Sequence, residues 1–420
     1  MGLLGKFKRS QFAKDTATLT IGTALAQAIG IFIMPVLSRL YTPEEFGKLA
    51  VFMAVSGIVA VTVTLRYETH ILLPKEEKEA SALVTISLLS TLIVGSVLCL
   101  VSWLLPSSYR EIMGIAILGN WLPIAILFGM GSATLAIGTA WLNRQRAYPK
   151  MAKLRFLQSL LSAIVGVSLG IFGYANGLLI AQLLALLILV VVFLGVLFGI
   201  VRQSNATEKK SVALHHSAAP KYLLPTALLD TVTQQLPIFL ITAWFSSEAA
   251  GQFSMAWKIL ALPITLVGGA IGQVFFQKFS EVWPNYQNAQ NLLFKTWLVL
   301  IVIGLIPMLL IILWGADLFS IIFGNQWLEA GKYASFLAPL LFVIFVSGPT
   351  ATNAIVVGAQ SFCMKLDFLL TGYRVFCFIW FTQSIYSILL AWSVGEIIFI
   401  IVRNIAVISM MKTYSYQIKT

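Results

Sequence analysis

The chain has 420 residues, 59% of them hydrophobic and only 10% charged, with a mean hydropathy of +0.91 and a formal net charge of +12. Soluble domains average about 45–50% apolar and about 25% charged residues. The composition therefore excludes a soluble enzyme, a disordered tail, a disulfide-rich secreted domain and a nucleic-acid binder, and leaves an all-α integral membrane protein.

A spanning helix needs about 20 mostly apolar residues. Segments of that kind lie near 15–38, 46–67, 80–105, 113–140, 155–175, 177–201, 222–245, 251–276, 292–314, 333–357, 365–382 and 385–411, about twelve in all. Lys6, Lys8, Arg9 and Lys14 precede the first, and no small-residue cleavage site ends it. It is expected to stay as a membrane helix. With the N-terminus inside, the cytoplasmic segments hold 21 Lys and Arg residues against 4 on the opposite side. That asymmetry predicts cytoplasmic N- and C-termini. The longest polar run divides the chain into a six-helix bundle over 1–205, a cytoplasmic linker over 206–221 and a second six-helix bundle over 222–420. The outer loops are short. The longest, from Gly315 to Gly331, is apolar, and its Phe323 and Trp327 suit a segment lying along the lipid headgroups.

The halves share a pattern 204 residues apart. Tyr41-Thr42-Pro43-Glu44-Glu45-Phe46-Gly47 aligns with Phe245-Ser246-Ser247-Glu248-Ala249-Ala250-Gly251, between the first and second span of each half. The hydroxyl can cap the second helix, the Glu favours its positive end and the Gly permits close packing. Six spans per half make the repeats enter the membrane in the same direction. This predicts a pseudo-two-fold axis along the membrane normal, with a transport path between the halves.

Ionisable groups deep in a span cost about 2.5–3.5 kcal/mol on insertion scales, so they usually face a cavity. In the seventh span Asp230, Gln234 and Pro237 share one helical face, and the eighth carries Lys258. Asp230 and Lys258 fall at similar depth and suit one aqueous cavity or, alternatively, a buried structural pair or independent snorkelling. Thr16, Thr20, Thr23 and Gln27 form a polar stripe on the first span, fit for cavity lining or for helix packing. Ser347, Pro349, Thr350, Thr352 and Asn353 predict a broken helix in the tenth span. The last two spans, separated only by Thr382-Gln383-Ser384, hold Asp367, Arg374, Glu396 and Arg403. Arg39 and Arg66, with Glu68, suit anchors at span ends. Asp230 and Glu396 are the candidate ion-coupling groups. His70, His215 and His216 are all placed in cytoplasmic loops, and His215-His216 reads as a solvated pair in the linker, with adventitious metal binding as the alternative. Without a GxxxxGK[ST] loop the chain is not its own ATPase. No cofactor, metal site or catalytic residue is expected, and the chain reads as a transporter, not an enzyme.

LSRLYTPEEFG at 37–47, TLRYETHILLPKEEKEA at 64–80, AAGQFSMAWKILALPITLVGGAIGQVFFQKFSE at 249–281 and FGNQWLEAGKYASFLAP at 323–339 occur in that order. Together they resemble the O-antigen and polysaccharide translocases of the multidrug/oligosaccharidyl-lipid/polysaccharide exporter superfamily. The resemblance implies a V-shaped exporter fold of two pseudo-symmetric six-helix bundles in the bacterial inner membrane. It also implies a function in lipopolysaccharide biosynthesis: flipping undecaprenyl-pyrophosphate-linked O-antigen repeat units by ion-coupled alternating access. Arg39, Arg66 and Lys258 match the family's pyrophosphate-handling positions. Lys258 stands where the family often has Arg, and so offers a point charge in place of a bidentate fork. Gln27, Gln234 and Arg374 complete the candidate substrate-binding set. Expected partners are the lipid-linked oligosaccharide, membrane lipids, a polysaccharide polymerase and a chain-length regulator. The rival function is a small-molecule or multidrug cation antiporter of the same fold.

Overall fold

The computed structural model describes residues 22–201, 206–380 and 384–417, with 206–208 and 414–417 described as backbone only. Every regular element among them is helical. Ten helices are long and apolar enough to cross a membrane: α1 (Gly22–Leu40), α2 (Pro43–Val63), α3 (Glu77–Leu104), α4 (Trp121–Arg144), α5 (Tyr148–Ile171), α6 (Gly177–Val201), α8 (Ser247–Val282), α9 (Tyr286–Phe323), α10 (Asn325–Thr350) and α12 (Ile385–Thr413). Between them lie α7 (Leu224–Trp244) and α11 (Gln360–Trp380), 21 residues each. These occupy the seventh and eleventh expected spans, and their polar side chains lower their hydropathy below that of the other ten. Ile93, Leu100 and Val302 are 65%, 64% and 64% exposed on α3 and α9. An apolar exterior of this kind suits acyl chains, not water. Thr16, Thr20, Thr382 and Gln383 lie outside the described residues.

By packing, the chain falls into two compact units, Met1–Gly251 and Gln252–Thr420. In the first, α7 packs along α2. Tyr67, Ile71, Leu83, Val84, Ile137 and Trp141 form a core at one end of it. Thr42 caps α2 as the repeat motif predicts. Its Oγ1 accepts from the Glu45 N–H at 3.3 Å, and Glu45 Oε2 accepts from the Thr42 N–H at 2.9 Å. Ser246 does the same for the first turn of α8, accepting from the Ala249 N–H at 3.0 Å. The two glycines of the motif face each other's helix start: a Cβ on Gly47 would sit 1.8 Å from the Ser247 carbonyl oxygen, and one on Gly251 1.8 Å from that of Pro43.

In the second unit the segment after residue 315 corrects an expectation. α9 kinks at Trp314 (φ −128°, ψ 20°) and continues as helix to Phe323. Trp327 is fully buried and Phe323 nearly so. Gln252 holds the corner, its Nε2 donating to the Gln326 carbonyl at 2.7 Å and its Oε1 accepting from the Ala330 N–H at 2.9 Å. These aromatics fill a protein corner and do not rest on headgroups. The break in the tenth span is present: α10 loses α-helical form at Ser347, passes through a 3-10 turn at Gly348–Thr350 and resumes as Asn353–Val357. Trp297 Nε1 donates to Thr350 Oγ1 at 2.9 Å within it. His216, expected to be solvated, is only 8% exposed, because the linker helix Ala206–His215 packs its Val212 against the Tyr67–Trp141 core.

Candidate functional site

At one end of the first unit, α2 stops at Val63, and Leu65 (φ +50°) and Arg66 (φ +62°) turn through the left-handed region. Two consecutive non-glycine residues there are uncommon and persist only where packing holds them. The turn delivers the chain into a 3-10 segment, Tyr67–Leu72, with Tyr67 and Ile71 in the core. Arg144, at the end of α4, holds the far side. Its guanidinium donates to the carbonyls of Ile71 (3.2 Å), Pro74 (2.6 Å), Lys75 (3.3 Å) and Glu76 (3.3 Å).

The result is an ion pair set beside a cavity. Arg66 Nη1 lies 3.1 Å from Glu68 Oε1, and the Glu68 side chain is 9% exposed. Among the described residues, Arg66 Nε and Glu68 Oε2 are buried without a hydrogen-bond partner. Glu68 faces a cavity of about 490 Å3 whose polar lining includes Thr69, Thr139, Asn143, Arg155 and Gln158. Arg155 Nη1 also donates to Thr23 Oγ1 at 2.9 Å, which engages the stripe of α1. The half-buried Gln27 lies one turn further along α1 and is not part of the cavity lining. A net-neutral pair that keeps one buried donor and one buried acceptor suits a hydroxyl, which accepts from the one and donates to the other. From the residues alone Arg66 and Glu68 read as span-end anchors, the family resemblance assigns Arg66 to the pyrophosphate, and Asn143, Arg155 and Gln158 stay unassigned. Nothing in the local pattern distinguishes Arg155 from the other basic residues of its loop.

The remaining candidates are spread over both units. Arg39 is exposed in the last turn of α1. On α7, Gln234 Nε2 donates to Asp230 Oδ2 at 3.0 Å, one turn away on the predicted face, and both residues are exposed. In the second unit, Lys258 is exposed on α8 and makes no ion pair or hydrogen bond among the described residues. It lies eleven residues into the helix, about 16 Å from its start. Arg374 and Glu396, proposed from sequence for different tasks, form a fork. Arg374 Nε donates to Glu396 Oε2 at 3.2 Å, Nη2 donates to Oε1, and Trp392 Nε1 adds a third bond to Oε2. Trp392 stacks on Trp257 at 5.5 Å, with an interplanar angle of 10°. Arg374 is thus committed to a partner, whereas Lys258 is not.

Residues 36–332 match a family described as polysaccharide biosynthesis protein. The succinoglycan biosynthesis transport protein ExoT of Rhizobium meliloti (strain 1021) is 23% identical over 343 residues, covering 77% of this chain and 66% of that protein, just under two thirds of its length. Among solved structures the chain resembles a multidrug resistance MATE family transporter of the MOP superfamily in its inward-facing conformation (TM-score 0.69, 16% identity, 94% and 96% of the two chains). It resembles lipid II flippase MurJ, inward closed conformation, to the same degree (TM-score 0.69, 13% identity, 95% and 90%). At these identities the likeness shows the fold, that of a MOP-type exporter.

Proposed function

The chain belongs to the polysaccharide biosynthesis protein family, and from that premise we propose that it flips undecaprenyl-pyrophosphate-linked oligosaccharide repeat units from the inner to the outer leaflet of the bacterial inner membrane by alternating access. O-antigen-type units are the class its motifs resemble, and the succinoglycan relative broadens this to surface polysaccharides at large. A polymerase and a chain-length regulator would act on the emerging product.

The observation that carries this reading is Lys258. A bare ammonium at mid-helix in a membrane protein is stable only against a wet path, and it attracts anions. A pyrophosphate head needs such a group, because the idealised cost of taking even one unit charge from water to a medium of low dielectric is about 20 kcal/mol. The polyprenyl tail has the opposite preference and stays in lipid. Sugar hydroxyls would be received where Arg66 and Glu68 offer a buried donor and acceptor side by side, with Asn143 and Gln158 beside them. Arg39, Gln27 and Gln234 are proposed as further contacts of the head along the path.

Lys258→Ala is expected to cut surface polysaccharide at least tenfold in a complemented deletion strain, with lipid-linked repeat units accumulating on the inner leaflet, and Lys258→Arg to restore most of it. Wild-type export by Lys258→Ala, measured at matched protein levels, would remove the phosphate role. An efflux assay with lipophilic cations tests the antiporter alternative. Asp230, exposed and one turn from Gln234, is proposed as the coupling group. Asp230→Asn should transport without dependence on the ion gradient; export that still tracks the gradient in this variant rules Asp230 out.

A further inference from the structure

All three histidines of the chain meet at one point of the first unit, with a glutamate. His70 lies in the 3-10 segment Tyr67–Leu72, His215 ends the linker helix, His216 follows it, and Glu79 sits in the first turn of α3. Packing brings them together. Val212 of the linker helix lies on the core around Tyr67 and Ile71, and the Tyr67 hydroxyl donates to the Ala213 carbonyl at 3.3 Å. His216 Nε2 is 3.0 Å from Glu79 Oε1, and its Nδ1 is 3.2 Å from His70 Nδ1. The His215 and His216 rings are 5.0 Å apart. Ligand atoms of Glu79, His215 and His216 all lie within 4.8 Å of one another.

We propose that Glu79, His215 and His216 form a transition-metal site of the Zn2+ class, which ties the linker to the first turn of α3. Two imidazoles and one carboxylate are a zinc ligand set that leaves a fourth, water-filled position. Bonds of about 2.0–2.2 Å in tetrahedral geometry place ligand atoms roughly 3.4 Å apart. The Glu79–His216 separation is already near that value, and the exposed His215 has the rotamer freedom to close the rest. His70 supplies what a ligating imidazole requires behind it. With its proton on Nδ1 donated to His70, His216 directs the Nε2 lone pair at the metal, and the ring is held in place. The carboxylate offsets one of the two metal charges. The site uses none of the residues assigned to the transported substrate, so it stands or falls apart from that function.

The test uses the full-length chain, purified in detergent without a histidine tag, titrated with Zn2+ against a chromophoric chelator and with Co2+ in the visible range. One Zn2+ per chain is expected, with sub-micromolar affinity and the intense absorption of tetrahedral Co2+. His215→Ala and Glu79→Gln, both at positions open to solvent, should each weaken binding at least tenfold. His70→Ala should weaken it by roughly 10–100-fold through lost orientation. Failure to bind Zn2+ stoichiometrically, or an affinity unchanged in both His215→Ala and Glu79→Gln, overturns the site.

Discussion

Arg374→Ala and Glu396→Gln are each expected to cost the second unit about 3–5 kcal/mol, the range seen when one member of a buried pair is removed and the other left uncompensated. The Glu396 side chain is 6% exposed and that of Arg374 17%, so salt and water screen the pair little. Removing the guanidinium leaves the carboxylate with only the Trp392 indole; neutralising the carboxylate leaves a guanidinium without a counter-charge between α11 and α12. The loss spreads, because Trp392 stacks on Trp257 and packs beside Phe253 and Phe378. The paired change Arg374→Met with Glu396→Leu, which removes both charges and keeps the volume, should recover most of the stability. Melting of the purified variants in detergent checks all three. Singles that melt with the wild type would mean that the pair carries no load. Export by the double variant then separates architecture from transport. Recovery alongside stability assigns the pair to architecture, whereas loss despite a restored melting temperature gives the Arg374–Glu396 pair a part in transport.

Local chemistry was legible in the chain and long-range pairing was not. The spans follow from runs of apolar residues, the capped starts of α2 and α8 from a hydroxyl three residues before a helical N–H, and the broken α10 from Pro349 among the polar Ser347, Thr350, Thr352 and Asn353, because each depends on neighbours within a turn or two. Trp327 was misplaced because an aromatic, apolar loop has the same composition whether it meets headgroups or fills a corner; the Gln252 side chain that decides the matter is 74 and 78 residues from its partners. Apart from the resemblance, the local residues made Arg66 and Glu68 look like span-end anchors, because their burial depends on two left-handed residues and on Arg144 binding carbonyls some 70 residues away. The Arg374–Glu396 fork needs the rotation of two separate helices about their axes, which hydropathy does not set. The histidines pair across 146 residues. In the sequence His70 has no visible relation to the linker, and it acquires one only when Val212 docks on the core around Tyr67 and Ile71.

Gly47→Ala and Gly251→Ala are expected to destabilise the first unit by about 1–3 kcal/mol or more each, through overpacking that no rotamer relieves. In most crowded sites a new methyl meets a side chain that can swing aside. Here the atoms in the way are the carbonyl oxygens of Ser247 and Pro43, each 1.8 Å from the added carbon. Van der Waals contact needs the two helix starts to separate by well over 1 Å. That separation strains the capping hydrogen bonds of Thr42 and Ser246, which fix the same two turns. Gly57→Ala supplies the control. It lies on the same helix α2 with nothing within 4 Å of its added Cβ, so the lower unfolded-state entropy and better helix propensity of alanine should make it neutral to stabilising by about 0.5–1 kcal/mol. Gly47→Ala and Gly251→Ala should therefore melt clearly below the wild type and Gly57→Ala at or above it. If Gly47→Ala melted with Gly57→Ala, the repeated glycine would owe its place to something other than the approach of these two helix starts. Equal losses at Gly47 and Gly251 are the specific signature, because the repeat makes each glycine the wall against which the other half of the motif rests.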